Sequence, residues 1–474
     1  MIDLNRLEQY RENNRIEAKR ALGGLPHSIW ETYSAFANTL GGLILLGVEE
    51  YPDKSLHPVD LPDPEGMVRE FRALVSDPQK ASVNVLGESD VRIETVGGDR
   101  IIVIRVPRAA RYERPVFVDG NPRTGTYRRS GEGDYRCSEE ELQAMYRDAE
   151  RRSRDMLAVP GLEAAVLCGD TLRRFRERMS ADRPGYAWIG LPDEELLERL
   201  GAAEAEPDGT LRPTAAGLLM FGGVREIRGV FPRYELVYRE EEGSSISSAS
   251  GDWSGNVFDF YFRVHNRLQS QLHVPGEQDG AEAPVRAALR EALANCLINA
   301  DYRGQERVEI VRNRREVRFT NPGGFRVNPN AARTGGVSDA RNAAMQRMFG
   351  MIDIGEGTGS GIPSIFQAWR DQGWPEPVFI QRFAPEATTL TLAFSAGTGK
   401  RTGAGDSDNA AVTAVRRQLI IEYLTDHVSA GITELAAYTG LRPARVREYL
   451  SGMISDGLVV AVDGGKARRY RLRS

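Results

Sequence analysis

The tightest constraint on the fold lies between residues 285 and 362. From Val285 to Ala300 the pattern is helical, with Leu289, Leu293, Cys296 and Leu297 on an apolar side. Glu291, Asn295 and Asn299 fall at i, i+4 and i+8, which lines them along one polar face. An amide oxygen so placed can hold a metal ion or a bound water, and a glutamate one turn earlier can act as a general base. A solvated face is the plainer alternative. Two strands follow, Val308 to Val311 and Val317 to Thr320, the second running into Asn321-Pro322-Gly323-Gly324. Gly323 permits close backbone approach, and Asn321 offers both a donor and an acceptor to a base edge. Gly355-Glu356-Gly357-Thr358-Gly359-Ser360-Gly361 then precedes a helix from about Ile362 to Asp371. Alternating glycines before a helix suit a phosphate held by backbone N–H groups, although a tight loop would read the same in isolation. In this order the three pieces point to a nucleotide site.

The chain is long enough for three or four domains at about 100–200 residues each. Its 41% apolar and 27% charged residues are ordinary for a globular protein and exclude wholly disordered or collagen-like classes. No apolar run approaches the ~18–20 residues of a membrane span. The polar first residues carry no signal-peptide pattern, so a cytoplasmic protein without a membrane partner is expected. Cys137, Cys168 and Cys296 are too scattered for a disulfide framework or a zinc knuckle. The expected fold class is α+β and multidomain. The boundaries read as 1–150, a middle segment 151–280, 281–396, a Gly-rich linker 397–410, and a small module 411–474. Within 1–150, Ile29 to Thr39 reads as a helix with Ser28 and Glu31 at capping-box spacing. Leu43 to Val48 reads as a buried strand, Val91–Val96 and Ile101–Val106 as a hairpin, Pro115 to Val118 and Thr124 to Arg128 as short strands, and Ser138 to Arg152 as a charged helix.

The segment Arg290-Glu291-Ala292-Leu293-Ala294-Asn295-Cys296-Leu297-Ile298-Asn299-Ala300-Asp301-Tyr302, with Gly335-Gly336-Val337-Ser338-Asp339-Ala340-Arg341-Asn342, resembles the GHKL ATPases. The likeness is closest to a bacterial branch labelled RecG-like ATP-binding and covers roughly 160–396. It implies an α/β sandwich that binds ATP with Mg2+. Glu291 would polarise the attacking water and Asn295 would hold the metal. Asn299, Asn321 and Gly323 would line the nucleotide, and Gly357, Gly359 and Gly361 would be the phosphate-lid glycines. Asn321 stands where the family usually has an aspartate for the adenine amino group. A Walker A helicase motor is excluded, because Gly399-Lys400 is followed by Arg401 and Phe394 stands where the first glycine belongs.

Near the N-terminus, Glu12, Glu17 and Lys19 surround a strand from Asn14 to Ala18, and Glu49-Glu50 ends the strand Leu43 to Val48. If the strands are adjacent, the carboxylates converge and need a cation, as in divalent-metal phosphodiester hydrolysis. Scattered surface acids are the alternative. Arg15-Ile16-Glu17-Ala18-Lys19, the run from Ser34 to Glu49, and Tyr127-Arg128-Arg129-Ser130-Gly131 resemble the Schlafen AlbA-like domain over about 8–150. That resemblance implies nucleic-acid binding. In nucleolytic members it implies cleavage of tRNA-like RNA by glutamates matching Glu12, Glu17 and Glu49, with Mg2+ or Mn2+ on Glu17 and Glu49. Arg108, Arg111, Arg114, Arg128 and Arg129 are candidate phosphate contacts, or else a solvated rim.

Residues 411–474 hold ten Lys/Arg against six Asp/Glu. A helix from Val412 to His427, a short helix from Thr433, a helix from Arg442 to Asp456 and a hairpin resemble the winged helix-turn-helix. Arg442, Arg445 and Arg447 would enter the major groove, with Lys466, Arg468 and Arg469 on the wing, unless the module docks a protein instead. Together these expectations describe a homodimeric DNA-binding regulator set by ATP. An ATP-gated, metal-dependent tRNA endonuclease of phage defence and a docking protein with structural nucleotide are the competing readings.

Overall fold

The computed structural model describes residues 3–474 apart from 242, 272–283, 328, 356, 384, 395–419, 421–422, 425–428, 440–442, 456–458, 465–466 and 473–474. The chain divides into two compact units, one of residues 1–149 with 402–474 and one of residues 150–401.

In the first unit a four-stranded sheet runs Ile16–Lys19, Gly42–Leu46, Asp99–Val106, Val91–Val96 in spatial order. The first pair is parallel and the rest antiparallel. Ile44, Leu45 and Leu46 are all buried, as expected for a strand covered on both faces. One face packs Ile44, Leu46, Ile102 and Ile104 under the helix Ile29–Asn38 through Tyr33, Phe36 and Ala37. The other buries Leu45, Val103 and Ile101 against Leu7 and Leu56. The helix is buried on its polar side too. Ser34 and Asn38, one turn apart, hold two distant segments. Ser34 Oγ donates to Val116 O at 2.7 Å and accepts from Tyr127 N at 3.0 Å. Asn38 Nδ2 donates to Val116 O and Tyr127 O, and its Oδ1 accepts from Val116 N.

Three local expectations change here. Ser28 is itself helical and makes no side-chain cap, so the capping box is absent; Glu31 instead accepts from the Tyr127 hydroxyl at 3.2 Å. The strand from Leu43 breaks at Gly47, whose φ of +80° turns Val48–Glu50 into a separate strand paired with Leu56–Pro58. Thr124–Arg128 is not one strand. Asn121 caps a helical turn over Pro122–Gly125, with proline in its first position, and the strand starts at Tyr127.

The same unit ends in Ala430–Gly431, the helices Ile432–Thr439 and Pro443–Ser455, and the hairpin Val459–Gly464 with Ala467–Leu472. Ile420, Leu424, Leu435, Val446, Leu450, Met453, Val459 and Tyr470 give it a core of its own. The linker at 397–410 lies outside the described residues, as does most of the helix expected over 412–427.

The second unit is built on a six-stranded sheet ordered Ser245–Ser247, Leu236–Glu240, Val308–Arg312, Glu316–Pro322, Glu386–Ala393, Val378–Phe383. Only the pair Leu236–Glu240 with Val308–Arg312 is parallel. The boundary expected at 280/281 falls inside this sheet. The helices Val257–Gln271 and Pro284–Ile298 also share one apolar core that runs from Val159 to Leu392. The segment from Thr214 is the helix Ala215–Phe221, capped by Thr214 Oγ1 accepting from Gly217 N at 3.0 Å.

Arg129 is the most buried arginine among the described residues of the first unit. Its side chain bonds Glu17 Oε2 at 2.7 Å, Asp134 Oδ1 at 2.9 Å and Asn13 O at 3.0 Å. Replacing it with Ala takes this partner from the buried Glu17 and the half-buried Asp134. Urea unfolding of Arg129→Ala is expected to show a loss of about 3 kcal/mol.

Candidate nucleotide site

The polar face of the helix Pro284–Ile298 opens on a cavity of about 510 Å3 in the second unit. Glu291, Asn295, Asn299, Asn321, Gly357, Gly359 and Gly361 all line it, so residues spread over some seventy positions meet at one place. Asn295 Nδ2 donates to Glu291 Oε1 at 3.1 Å. The helix Gly361–Asp371 begins directly against Glu291, where a Cβ on Gly361 would overlap the Glu291 carboxylate. Its positive N-terminal end therefore belongs to the cavity wall. Gly355, Gly357 and Gly359 have φ of +64°, +71° and +75°, and a Cβ on Gly359 would stand 2.7 Å from Val337 N. Gly359 is thus required by both conformation and space, and Gly355 and Gly357 by conformation.

Asn321 is buried at the end of its strand. Its Nδ2 donates to Asn299 O at 3.4 Å and Pro322 O at 3.1 Å. Two carbonyl acceptors fix the amide orientation and leave Oδ1 as the acceptor of this side chain. Gly323 has φ +91°, and Arg341 packs where its Cβ would be.

Sequence reasoning missed Thr388. It pairs in register with Asn321 on the neighbouring strand, lines the cavity, and donates to Gly323 O at 2.9 Å. Only the strand register, which a single sequence does not display, brings it there. It also missed Arg341 and Asn342. Arg341 Nε donates to Asn299 O at 3.1 Å and Nη2 to Gly324 O at 3.0 Å. Asn342 Nδ2 donates to Ile298 O and Ala300 O at 2.9 and 2.8 Å.

The acidic residues near the N-terminus are only partly brought together. Glu17 is buried and spends its two oxygens on Lys19 Nζ at 2.8 Å and Arg129 Nη2 at 2.7 Å. Glu12 accepts from Ala18 N at 3.0 Å; burial and the neighbouring Glu17 and Glu50 carboxylates push its carboxyl up to about 7. The third acid near Glu12 is Glu50; Glu49 pairs with Arg20 at 3.5 Å. Successive residues of a strand face opposite ways, so the break at Gly47 decides which of the two acids faces inward. Among the described residues no group of three or more His, Cys, Asp or Glu is arranged to hold a metal ion. Arg114, Arg128 and Arg129 are buried, and Arg111 donates to Asp148 O, so these arginines serve their own domain rather than a phosphate-binding rim.

In the C-terminal module Arg445 and Arg447 are exposed on the helix Pro443–Ser455, Arg445 pairing with Glu448 and lying over the Tyr449 ring. Arg469 instead braces the module, bonding Ser429 O at 2.8 Å and Glu434 at 3.0 Å. Arg468 sits opposite Asp463 in the hairpin register. Arg442 and Lys466 lie outside the described residues.

Three family models match parts of the chain. Residues 12–138 match Schlafen, AlbA_2, and residues 305–392 match the family described as "Putative ATP-dependent DNA helicase recG C-terminal". The chain carries a Schlafen AlbA_2 domain and a RecG-type C-terminal domain. Between them, residues 143–237 match a domain of unknown function, DUF8451. The solved N-terminal domain of a putative ATP-dependent DNA helicase RecG-related protein from Nitrosomonas europaea is 35% identical over 28% of this chain and 90% of its own, with a TM-score of 0.23. A Corynebacterium diphtheriae protein of known structure is 17% identical, covering 97% of this chain and 95% of its own at a TM-score of 0.38. No curated protein matches. Among the described residues no helix is long and apolar enough to cross a membrane.

The AlbA_2 domain yields a pH prediction. Glu12 has a folded pKa of about 7 against an ordinary 4.5, so the fold favours its protonated form. Its contribution to stability is full below about 4.5 and is lost as pH rises through about 7. Glu12→Gln is therefore expected to be more stable than wild type at pH 8, by on the order of 1–2 kcal/mol, with the gap closing by pH 5 in paired thermal melts.

Proposed function

We propose that this protein is an ATP-binding, nucleic-acid-binding regulator, with the cavity of the second unit as its nucleotide site. The observation that carries the reading is the convergence of Glu291, Asn295 and Asn321 with the glycine cradle at the start of the helix Gly361–Asp371. The residues fit the ligand. Asn321 presents an acceptor, as an exocyclic amino group of adenine requires. The glycine-lined helix end suits phosphates, which would lose hydrogen bonds and meet a Cβ if any other residue stood there. Asn295 beside Glu291 would hold Mg2+ together with phosphate oxygens, since magnesium is commonly bound by few protein ligands plus substrate. Mg-ATP, when bound, supplies a polarised terminal phosphate. Glu291 would orient a water toward it, and hydrolysis would then reset the switch.

The C-terminal module acts in this reading as a winged helix-turn-helix on DNA, with Arg445 and Arg447 on the reading helix and the wing hairpin beside it. The protein works as a cytoplasmic homodimer, because two copies read a symmetric site. An ATP-gated tRNA endonuclease is the second reading, favoured by the raised carboxyl of Glu12. It ranks lower because Glu17 is already neutralised by Lys19 and Arg129. Cleavage of a tRNA pool in Mg2+ or Mn2+ that Glu17→Ala abolishes would reverse the ranking.

Isothermal titration with ATP is expected to show saturable binding that EDTA weakens, and Asn295→Ala should lose most of that metal dependence. Asn321→Leu should weaken ATP by about tenfold, the value of one hydrogen bond lost in a buried site. For DNA, Arg445→Ala with Arg447→Ala should lower affinity and reduce the salt-dependence slope by about 2, read from binding isotherms at several salt concentrations.

A further inference from the structure

We infer that the buried pair Ser153 and Asp155 couples the nucleotide cavity to the stretch of chain that leads out of the AlbA_2 domain. This rests on the nucleotide reading above and concerns the regulation of that site.

The helix Ala343–Gly350 lacks a local cap. Its N-cap residue, Asn342, makes no side-chain cap; its Nδ2 donates instead to Ile298 O and Ala300 O. The orphan N–H groups of the first turn are met instead from 190 positions away. Asp155 Oδ2 accepts from Met345 N at 2.9 Å, and Ser153 Oγ accepts from Ala343 N at 3.2 Å. Ser153 Oγ also lies 2.6 Å from Asp155 Oδ1 and donates to Arg341 O at 2.8 Å. Both side chains are buried.

What they grip adjoins the cavity wall, since Ala340 and Gln346 on either side of these residues line it. Arg341 takes its backbone N–H to Asn299 Oδ1 at 3.4 Å and its Nε to Asn299 O at 3.1 Å. On the capped helix, Gln346 lines the cavity and stands beside Gly357 of the glycine loop. Two routes therefore run from the cavity to the same two buried side chains. On their other side the chain has only three residues, Glu150, Arg151 and Arg152, before it reaches the helix Glu139–Ala149 that ends the AlbA_2 unit. A ligand that holds Asn299 and Gln346 in place also holds the cap, and the cap holds the start of this connector.

Trypsin reads the connector directly, because Arg151, Arg152 and Arg154 are exposed. The full chain would be digested with and without Mg2+ and a non-hydrolysable ATP analogue, with cuts mapped by mass spectrometry and analogue affinity measured by titration on the same preparations. Saturating analogue is expected to slow cleavage at 151–154 by about fivefold in wild type, the scale of a typical coupling between sites. Ser153→Ala should bind the analogue within about threefold of wild type yet lose the slowing, since the hydroxyl contacts no cavity group itself. Asp155→Asn provides a second test should Ser153→Ala fold poorly, and Ser153→Thr, which keeps the hydroxyl, should restore the slowing. Equal slowing in wild type and Ser153→Ala overturns the inference. So does a wild type that binds the analogue without any change at 151–154. A folded wild type that binds no analogue overturns the nucleotide reading itself, and the direct titration separates that failure from the others.

Discussion

The last turn of an α-helix leaves carbonyls that the helix cannot satisfy, and in this protein the second unit is organised around one such end. The helix Pro284–Ile298 stops where the carbonyls of Ile298, Asn299 and Ala300 still need donors. Three side chains from two other segments supply them: Asn321 and Arg341 to Asn299, and Asn342 to Ile298 and Ala300. Closing the helix end therefore ties the strand Glu316–Pro322 and the start of the helix Ala343–Gly350 to one point. That point is the floor of the cavity. A buried carbonyl left unmet costs about 1–3 kcal/mol, so the geometry of the site is maintained by the same bonds that stabilise the fold.

Chemistry and packing are divided between the two sides of that helix. Leu289, Leu293, Cys296 and Leu297 enter the shared core, while Glu291, Asn295 and Asn299 face the cavity. The core extends back through the strands and helices of 159–271, which makes the middle segment part of the body that holds the cavity. Its strand Leu236–Glu240 pairs in parallel with Val308–Arg312. A displacement at the cavity consequently meets a continuous packed interior, in which close-packed side chains shift between discrete arrangements rather than deforming smoothly.

Much of this was legible in the sequence because it depends on local periodicity. The polar stripe of the helix, the glycine alternation and the C-terminal helix–helix–hairpin order each follow from spacing over a dozen residues or fewer. What escaped depends on register and tertiary closure. Thr388 reaches the cavity only through its pairing with Asn321, and Ser153 and Asp155 act on a helix 190 positions away. The acid that acts on Glu12 besides Glu17 is Glu50, and Gly47 turns the chain just before the pair Glu49-Glu50, a break that spacing along the sequence does not display. Arg114, Arg128 and Arg129, read as candidate phosphate contacts, are buried, since a charge count along a sequence cannot separate a cation that meets solvent from one that neutralises Glu17. Ser28 and Glu31 carry the right spacing for a capping box, but the nearer competitor for Glu31 is a hydroxyl nearly a hundred residues on.

The central claim is that the closed end of the helix Pro284–Ile298 and the glycine cradle form one nucleotide site. Hydrogen–deuterium exchange of the full chain, with and without Mg-ATP, tests it most directly. Slowed exchange is expected in peptides covering residues 289–300, 320–325 and 355–364, where the backbone lines or closes the cavity. Unchanged exchange in all three stretches while ATP demonstrably binds elsewhere on the chain would contradict it.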